Sequence, residues 1–405
     1  MKHVTGFYKD IVLLIKIKSR ELKKLPLGVL LYLRSTFRNE KLTRIGDKYV
    51  INSFIPPFPS PAFEQFAKNA VSVYKQEAFP YSTHIALTNK CSFNCWHCSK
   101  CYREGEELSK DIWLQVVKKL QNMGICIIGF TGGEPLSNNN LEEIITAIDD
   151  RSTAILFTSG HGLTDKRAKS LKSAGLYYIA ISLDHYTEEK HNKLRGRADA
   201  FDIAIKAIDT SLKNNFYTAV QLVVRKDMLN TEEMDRYIDF VTKLGVHEIR
   251  IIEPMPTGVL IKEKGDIFLK EPEREFLRGY HIKTNKKNNL TKIASFTYLE
   301  NKNMYGCGAG VQHMYIDAFG NVCPCDFTPL SFGNIKKDGF DIAYKRLRAH
   351  FDKPRATCFI QDNIEKIRPF FSNNLPLKYA ASVQICNSCR KRELPRFYKK
   401  LGWKE

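Results

Sequence analysis

Three cysteines crowded into one loop constrain this chain more than any other feature. Cys91, Cys95 and Cys98 stand at the spacing C-x3-C-x2-C, directly after the apolar run Ile85-Ala86-Leu87 and the polar Thr88-Asn89-Lys90. Three thiolates at this spacing can wrap one corner of a cubane iron–sulfur cluster and leave the fourth iron without a protein ligand. A catalytic zinc site keeps a position open for substrate by the same logic. Two rival readings fit less well. Cys95, Cys98 and Cys101 also read as C-x2-C-x2-C, the start of a ferredoxin-type run, but Gly105 and Glu106 stand where its fourth cysteine and proline belong. A zinc knuckle wants four ligands in a closed site, with Cys101 as the fourth. Spacing alone thus establishes a cluster with an open site, and Cys101 reads as a bystander.

A second apolar run ends in Thr131-Gly132-Gly133-Glu134-Pro135, where two glycines let backbone approach a ligand closely. Further on come Phe157-Thr158-Ser159-Gly160 and Ile181-Ser182-Leu183-Asp184-His185, followed by His191, Arg195 and Gly196. The cysteine loop and the Gly-Gly-Glu segment together resemble the radical S-adenosylmethionine (radical SAM) enzymes. The stretch from Ser182 to Gly196 matches that family's S-L-D-G…H-x3-R-G, except that His185 replaces the glycine. The resemblance implies a 4Fe-4S cluster on Cys91, Cys95 and Cys98, with S-adenosylmethionine chelating the open iron. It implies reductive cleavage to a 5′-deoxyadenosyl radical that takes hydrogen from a substrate, fed by a low-potential donor such as flavodoxin or ferredoxin. It assigns the cofactor to Gly132, Gly133 and Glu134 (amino group), Ser159 (ribose or carboxylate), and Ser182 and Arg195 (methionyl carboxylate), with Asp184 in the same run. An arginine suits a carboxylate because its planar fork makes two bonds. The stretch Ile251–Gly258 is expected near adenine. Glu253 can equally meet substrate, and no general base is named.

Strand and helix signals alternate across the middle of the chain. Strands are expected at 84–88, 125–130, 154–158, 177–183, 218–225 and 248–253, and helices near 109–122, 140–149, 164–173, 199–213 and 231–243. Gly124, Gly175 and Gly245 are placed to stop helices. Such alternation argues for parallel strands with right-handed crossovers. The expected fold is α/β, a partial (β/α)6 barrel with its chemistry at the carboxyl ends of the strands.

A second cysteine set begins at Cys307-Gly308-Ala309-Gly310. A hairpin turning at Ala318–Gly320 runs on to Cys323-Pro324-Cys325, then Gly333-Asn334-Ile335, and finally Cys386-x2-Cys389. C-x17-C with glycine five residues before its second cysteine, then G-N-I, resembles the SPASM/Twitch auxiliary-cluster branch of the same family. That resemblance implies a second, auxiliary iron–sulfur cluster on Cys307, Cys325, Cys386 and Cys389. Cys323 is the alternative to Cys325, and Cys358 is left over. A structural zinc on the same thiolates is the competing reading.

The expected organisation is an N-terminal extension and proline-rich strap (1–80), the barrel core (81–260), a charged irregular bridge (261–300) and a small α+β cysteine-rich domain (301–405). Residues 1–44 hold eleven Lys or Arg against three acidic residues, with short apolar runs at Ile11–Ile15 and Leu25–Leu33. One or two amphipathic helices on a membrane surface fit this pattern, as does a helix packed on the barrel. Pro56-Pro57-Phe58-Pro59-Ser60-Pro61 is expected to exclude a central strand or helix. Eleven cysteines without a signal-peptide pattern point to metal rather than disulfides, and to a cytoplasmic chain with peripheral contact at the inner membrane face. A net charge of +19 suits an anionic partner. A ribosomally made peptide is the expected substrate and a membrane lipid or other apolar small molecule the alternative. A metal-binding protein docked on nucleic acid is remote, since no nucleic-acid motif is present.

Overall fold

A computed structural model describes residues 2–6, 9–10, 12–13, 19–77, 79–389 and 393–405. Its frame is a nine-stranded sheet in the order β10-β9-β8-β7-β6-β5-β4-β11-β12. The strands are β4 (Ser82–Thr88), β5 (Ile127–Gly132), β6 (Thr153–Thr158), β7 (Tyr178–Ser182), β8 (Tyr217–Val223), β9 (Glu248–Ile252), β10 (Lys292–Ser295), β11 (His313–Ile316) and β12 (Val322–Cys323). A separate antiparallel sheet joins β1 (Lys2–Val4), β2 (Leu42–Ile45) and β3 (Lys48–Val50). The helices used below are α1 (Leu27–Thr36), α2 (Pro61–Tyr74), α3 (Lys110–Asn122), α4 (Leu141–Thr146), α5 (Asp165–Ser173), α6 (Glu188–Arg195), α7 (Ala200–Lys213), α8 (Thr231–Lys243), α9 (Glu271–Asn285), α10 (Phe340–His350), α11 (Phe359–Ile367) and α12 (Tyr379–Ser388).

Local chemistry sets these boundaries. Hydroxyl or amide oxygens of Ser109, Thr164 and Asn230 accept backbone N–H bonds at the starts of α3, α5 and α8. Gly124, Gly175 and Gly245 then turn the chain out with φ of +91°, +102° and +80°. Strands β4 to β9 pair in parallel as six consecutive βα units, and the core lies between them and the helices.

Three segments differ from expectation. The bridge at 261–300 contains α9 and β10, and β10 adds a parallel strand to β9. The hairpin strand β11 pairs in parallel with β4, so the cysteine-rich region continues the barrel sheet on its other edge. In the strap, Ser60 caps α2 and Pro61 occupies its first turn, where a missing N–H costs nothing.

The N-terminal residues close the base of the barrel. Phe58, Phe63 and Tyr49 pack with Leu42, Ile51 and Ile55. Several basic residues are structural rather than solvated: Lys9 donates to the carbonyls of Phe37, Arg38 and Glu40 at 2.7–2.9 Å, and Lys41 to those of Leu290 (2.7 Å) and Lys287. On α1, Leu27 and Leu31 remain 71% and 54% exposed. Ile11, Leu14 and Ile15 of the other apolar run lie outside the described residues. Among the described residues no helix is long and apolar enough to cross a membrane.

Beneath the barrel, Lys292 donates to the carbonyls of Val50 (3.0 Å) and Ile51 (2.8 Å) and stands 3.8 Å from Glu248. Glu248 accepts from Ser53 and from the Tyr217 hydroxyl at 2.7 Å. Lys292→Met strands a buried carboxylate and two carbonyls, so unfolding in urea should show a loss of about 3–5 kcal/mol. A loss under about 1 kcal/mol would mean that water already reaches this network.

Candidate functional site

The loop from Cys91 to Cys101 has no regular secondary structure, so its backbone groups need partners from elsewhere. They find them around the rim of the barrel. Gly133 and Glu134 donate their N–H groups to the carbonyls of Thr88 and Lys90 at 2.8 Å. The N–H groups of Asn94 and Trp96 donate to the carbonyls of Arg195 and Leu194 at 3.1 Å, and Val259 N–H donates to the Cys98 carbonyl at 3.0 Å. These approaches leave no room for a side chain. A Cβ on Gly133 would stand 2.1 Å from the Lys90 carbonyl oxygen. On Gly196 it would stand 2.4 Å from that of Asn94, and on Gly258 2.1 Å from that of Cys98. The glycines expected to meet a ligand therefore also serve the chain's own cysteine loop.

The residues assigned to the cofactor are tied to one another. The Glu134 carboxylate is 2% exposed and accepts from Thr158 Oγ1 (2.6 Å), Ser159 N (2.8 Å) and Ser159 Oγ (2.5 Å). Burial raises its pKa, and these bonds offset the rise only in part. Arg195 Nε stands 2.8 Å from Asp184 Oδ2, and its Nη1 points at Cys95 Sγ from 3.6 Å. His97 Nε2 lies 3.4 Å from the same Asp184 oxygen, and Val223 N–H donates to the other oxygen at 3.1 Å. Burial would raise Asp184, but the Arg195 guanidinium overrides it and holds the carboxyl well below the usual range. His191 Nδ1 accepts from Asp184 N–H at 3.0 Å. His191 thus holds Asp184 in place, Arg195 carries positive charge to a cysteine, and Gly196 admits the loop. Arg195 is engaged by Asp184 and Cys95 rather than standing free. Ser182 ends β7 half-buried. His185 Nδ1 accepts from its own turn at Thr187.

Burial raises the thiols of Cys91 and Cys95, and Arg195 opposes this at Cys95. Cys101, read as a bystander, lies close enough to Cys98 to interact, and that contact lowers its thiol.

In the second set, Cys307, Cys325 and Cys358 come together around one cavity. Cys307 and Cys358 lie close enough to interact, which lowers the Cys307 thiol and raises that of Cys358. Cys307 raises Cys325 through its charge, Cys325 does the same to Cys358, and all three line the same cavity. Cys358 therefore joins the set. Cys323 does not: it is fully buried with Ala86, Tyr315, Ala318 and Phe319, 3.9 Å from Arg103 Nη1. Cys386 lies in the last turn of α12 and Cys389 just beyond it. Three thiols in mutual contact or close by are soft donors suited to an iron–sulfur cluster, as are Cys91, Cys95 and Cys98.

Sequence reasoning missed a polar chain in the barrel interior. Ser82 Oγ meets His313 Nδ1 at 2.9 Å, His313 Nε2 meets Asp326 Oδ2 at 2.8 Å, and Asp326 Oδ1 meets His84 Nδ1 at 2.8 Å. Gly129 makes room for this, since a Cβ there would stand 2.3 Å from the His84 ring. A carboxylate between two imidazoles can pass a proton. No spacing signal announces it, because His84 and His313 meet only when β11 pairs with β4. One cavity of about 360 Å³ reaches His97, Ser99 and Thr131 near the first cysteine loop, this polar chain, and Cys307 and Cys358.

A family model described as the radical SAM superfamily matches residues 85–244, and one described as an iron–sulfur cluster-binding domain (SPASM) matches residues 307–390. The chain is 35% identical over 209 residues to a probable GTP 3′,8-cyclase of Saccharolobus islandicus, covering 49% of this chain and 65% of that protein. It is 25% identical over 278 residues to an AdoMet-dependent heme synthase of Methanosarcina barkeri, covering 63% of this chain and 79% of that one. The fold is shared with Streptococcus suis SuiB bound to its precursor peptide SuiA, at a TM-score of 0.54 and 18% identity, over 70% of this chain and 69% of that one.

Gly196→Ala must place a Cβ on a left-handed residue and against the Asn94 carbonyl, whereas Gly265→Ala meets only the left-handed strain, about 1–2 kcal/mol. After anaerobic reconstitution, Gly196→Ala should hold about half the wild-type iron and Gly265→Ala should match the wild type. Equal iron in both would show that the clamp on the cysteine loop is dispensable.

Proposed function

Because the chain belongs to the radical SAM superfamily and carries an iron–sulfur SPASM domain, we propose that it abstracts hydrogen from a substrate held in the cavity between its two cysteine sets. The observation that carries this reading is that one cavity reaches both the Ser99–Thr131 rim and Cys307, Cys325 and Cys358. When bound, the 4Fe-4S cluster and S-adenosylmethionine supply a 5′-deoxyadenosyl radical. In this reading Cys91, Cys95 and Cys98 hold the cluster, and Arg195 lends positive charge at Cys95. Gly132, Gly133, Glu134, Ser159, Ser182, Asp184 and Arg195 form the cofactor's bed. Glu134 and Ser159 fix each other, which keeps the β5 and β6 ends at a set separation. Cys307, Cys325 and Cys358, with Cys386 or Cys389 as the fourth ligand, would hold an auxiliary cluster, which would supply an electron acceptor to an oxidation. The apolar walls exclude water, which protects a radical from side reactions.

On the substrate, the cavity favours a small or chain-like organic molecule. It is enclosed at its base by α1 and α2, with Leu33, Phe63 and Ala67 in its wall. Such walls suit apolar groups better than an extended peptide backbone, whose N–H and C=O groups need partners. The fold shared with peptide-bound SuiB keeps a peptide as the second reading.

Reconstituted protein given dithionite and S-adenosylmethionine under anaerobic conditions should release 5′-deoxyadenosine, and Cys95→Ala should release none. A wild-type protein that carries a reducible cluster yet forms no 5′-deoxyadenosine would overturn the proposal.

A further inference from the structure

The base of the cavity holds a cation that makes no ion pair among the described residues. Arg250, on β9, is 2% exposed and lines the cavity. Its guanidinium lies over the rings of Phe54 (4.5 Å), Phe157 (5.1 Å) and Phe296 (5.5 Å). Its polar contacts are both neutral: Ser53 Oγ, and Gln221 Oε1 at 3.4 Å. Among the described residues Arg250 makes no ion pair, and Glu248 and Asp326 reach it only through longer-range charge.

Nearby carboxylates are already committed. Glu248 serves Lys292, Ser53 and Tyr217, and Glu40 stands 3.2 Å from His281. Asp326 is shared by two histidines, and Glu253 is paired with Arg274 at 2.9 Å. Glu300 lines the same cavity and acts on Arg250 through longer-range charge without forming an ion pair, and burial raises it well above the usual carboxylate range. A buried charge is costly unless paired, and a guanidinium flanked by aromatic faces suits a planar anion.

The rest of this end of the cavity is mostly apolar, with Thr36 and Asn69 its polar interruptions on α1 and α2. Leu22, Leu33, Phe37, Phe66, Ala70 and Val73 form it, from α1, α2 and the segments beside them. A single cation next to a hydrocarbon-lined chamber is a site for one kind of molecule.

We propose that the cavity binds a single-chain amphiphile, its carboxylate on Arg250 and its hydrocarbon chain in the chamber between α1 and α2. This deepens the proposed function by naming the substrate class and rests on that reading for its purpose. Binding itself requires no cluster, no reductant and no S-adenosylmethionine. The two proposals therefore fail separately: 5′-deoxyadenosine formation reports on one, and equilibrium binding reports on the other.

The test is fluorescence titration of the full chain with cis-parinaric acid, displaced by saturated carboxylates from octanoate to tetradecanoate and by dodecanol. Affinity should rise about threefold to fourfold per methylene while the chain still fits the chamber. Arg250→Gln keeps a hydrogen-bond donor and removes the charge. It should weaken dodecanoate at least tenfold and leave dodecanol within twofold. Ala70→Trp fills the chamber and should weaken both ligands at least tenfold. Both variants are to be compared at unchanged thermal unfolding midpoint, and Gly265→Ala serves as a substitution remote from the cavity. Three results would each overturn the proposal: no saturable binding to the wild type, dodecanoate affinity unchanged in Arg250→Gln, or equal loss of dodecanoate and dodecanol in that variant.

Discussion

The structure depends on how one irregular loop is held. A loop that carries three metal-binding thiols cannot be a helix or strand, because the sulfurs must converge on one point. Its amides and carbonyls still need partners. The barrel rim supplies them from β5, from the end of α6 and from the turn after β9. These are backbone-to-backbone contacts, so glycine stands at each: Gly133, Gly196 and Gly258. The Arg195–Asp184 pair completes the clamp from the side-chain level and brings positive charge to Cys95. The loop's exit is fixed as well: Arg103 reaches Asp317 in the hairpin turn at 3.0 Å, and Leu108 N–H donates to Ala318 at 2.8 Å.

That second attachment joins the two cysteine regions into one structure. Strand β11 pairs directly with β4, the strand that leads into the first cysteine loop. One interior space therefore runs from His97 and Ser99, beside the first cysteine loop, to Cys307, Cys325 and Cys358 of the second set. The N-terminal residues close that space below, and the cost of burying Lys41, Lys292 and Glu248 there is met by a dense set of hydrogen bonds. The result is a chamber with sulfur at one end, titratable groups in the middle and hydrocarbon at the other.

Much of this is legible in the sequence, and the parts that are not share a physical cause. The expected strands and helices from 82 to 252 follow from local periodicity and glycine stops and are observed to within about three residues, whereas α6 (Glu188–Arg195) has no counterpart among them. Motifs that suggest ligand contacts are legible as clusters but not as partners. Nothing local says that Ser159 and Glu134 hold each other, or that Arg195 is taken by Asp184. Cys358 lies outside any spacing pattern and comes to Cys307 only through long-range contacts, among them an isolated bridge between Cys307 and Arg355. Cys323 draws attention by its spacing, yet the strand turns it toward Arg103. The prolines of the strap suggest irregular chain, although Pro61 occupies the one turn of a helix that tolerates it. Long-range pairing, not local preference, decides each of the cysteine and ion-pair positions.

The most direct test of two cluster sites facing one chamber is iron and sulfide per chain after anaerobic reconstitution, in the wild type, in Cys307→Ala/Cys358→Ala and in Cys323→Ala. Two cubane clusters predict about eight irons in the wild type and in Cys323→Ala, and about four in the double variant. Full iron in the double variant, or its loss in Cys323→Ala, would contradict the account: the second cluster would then lie on the other side of the hairpin, away from the cavity.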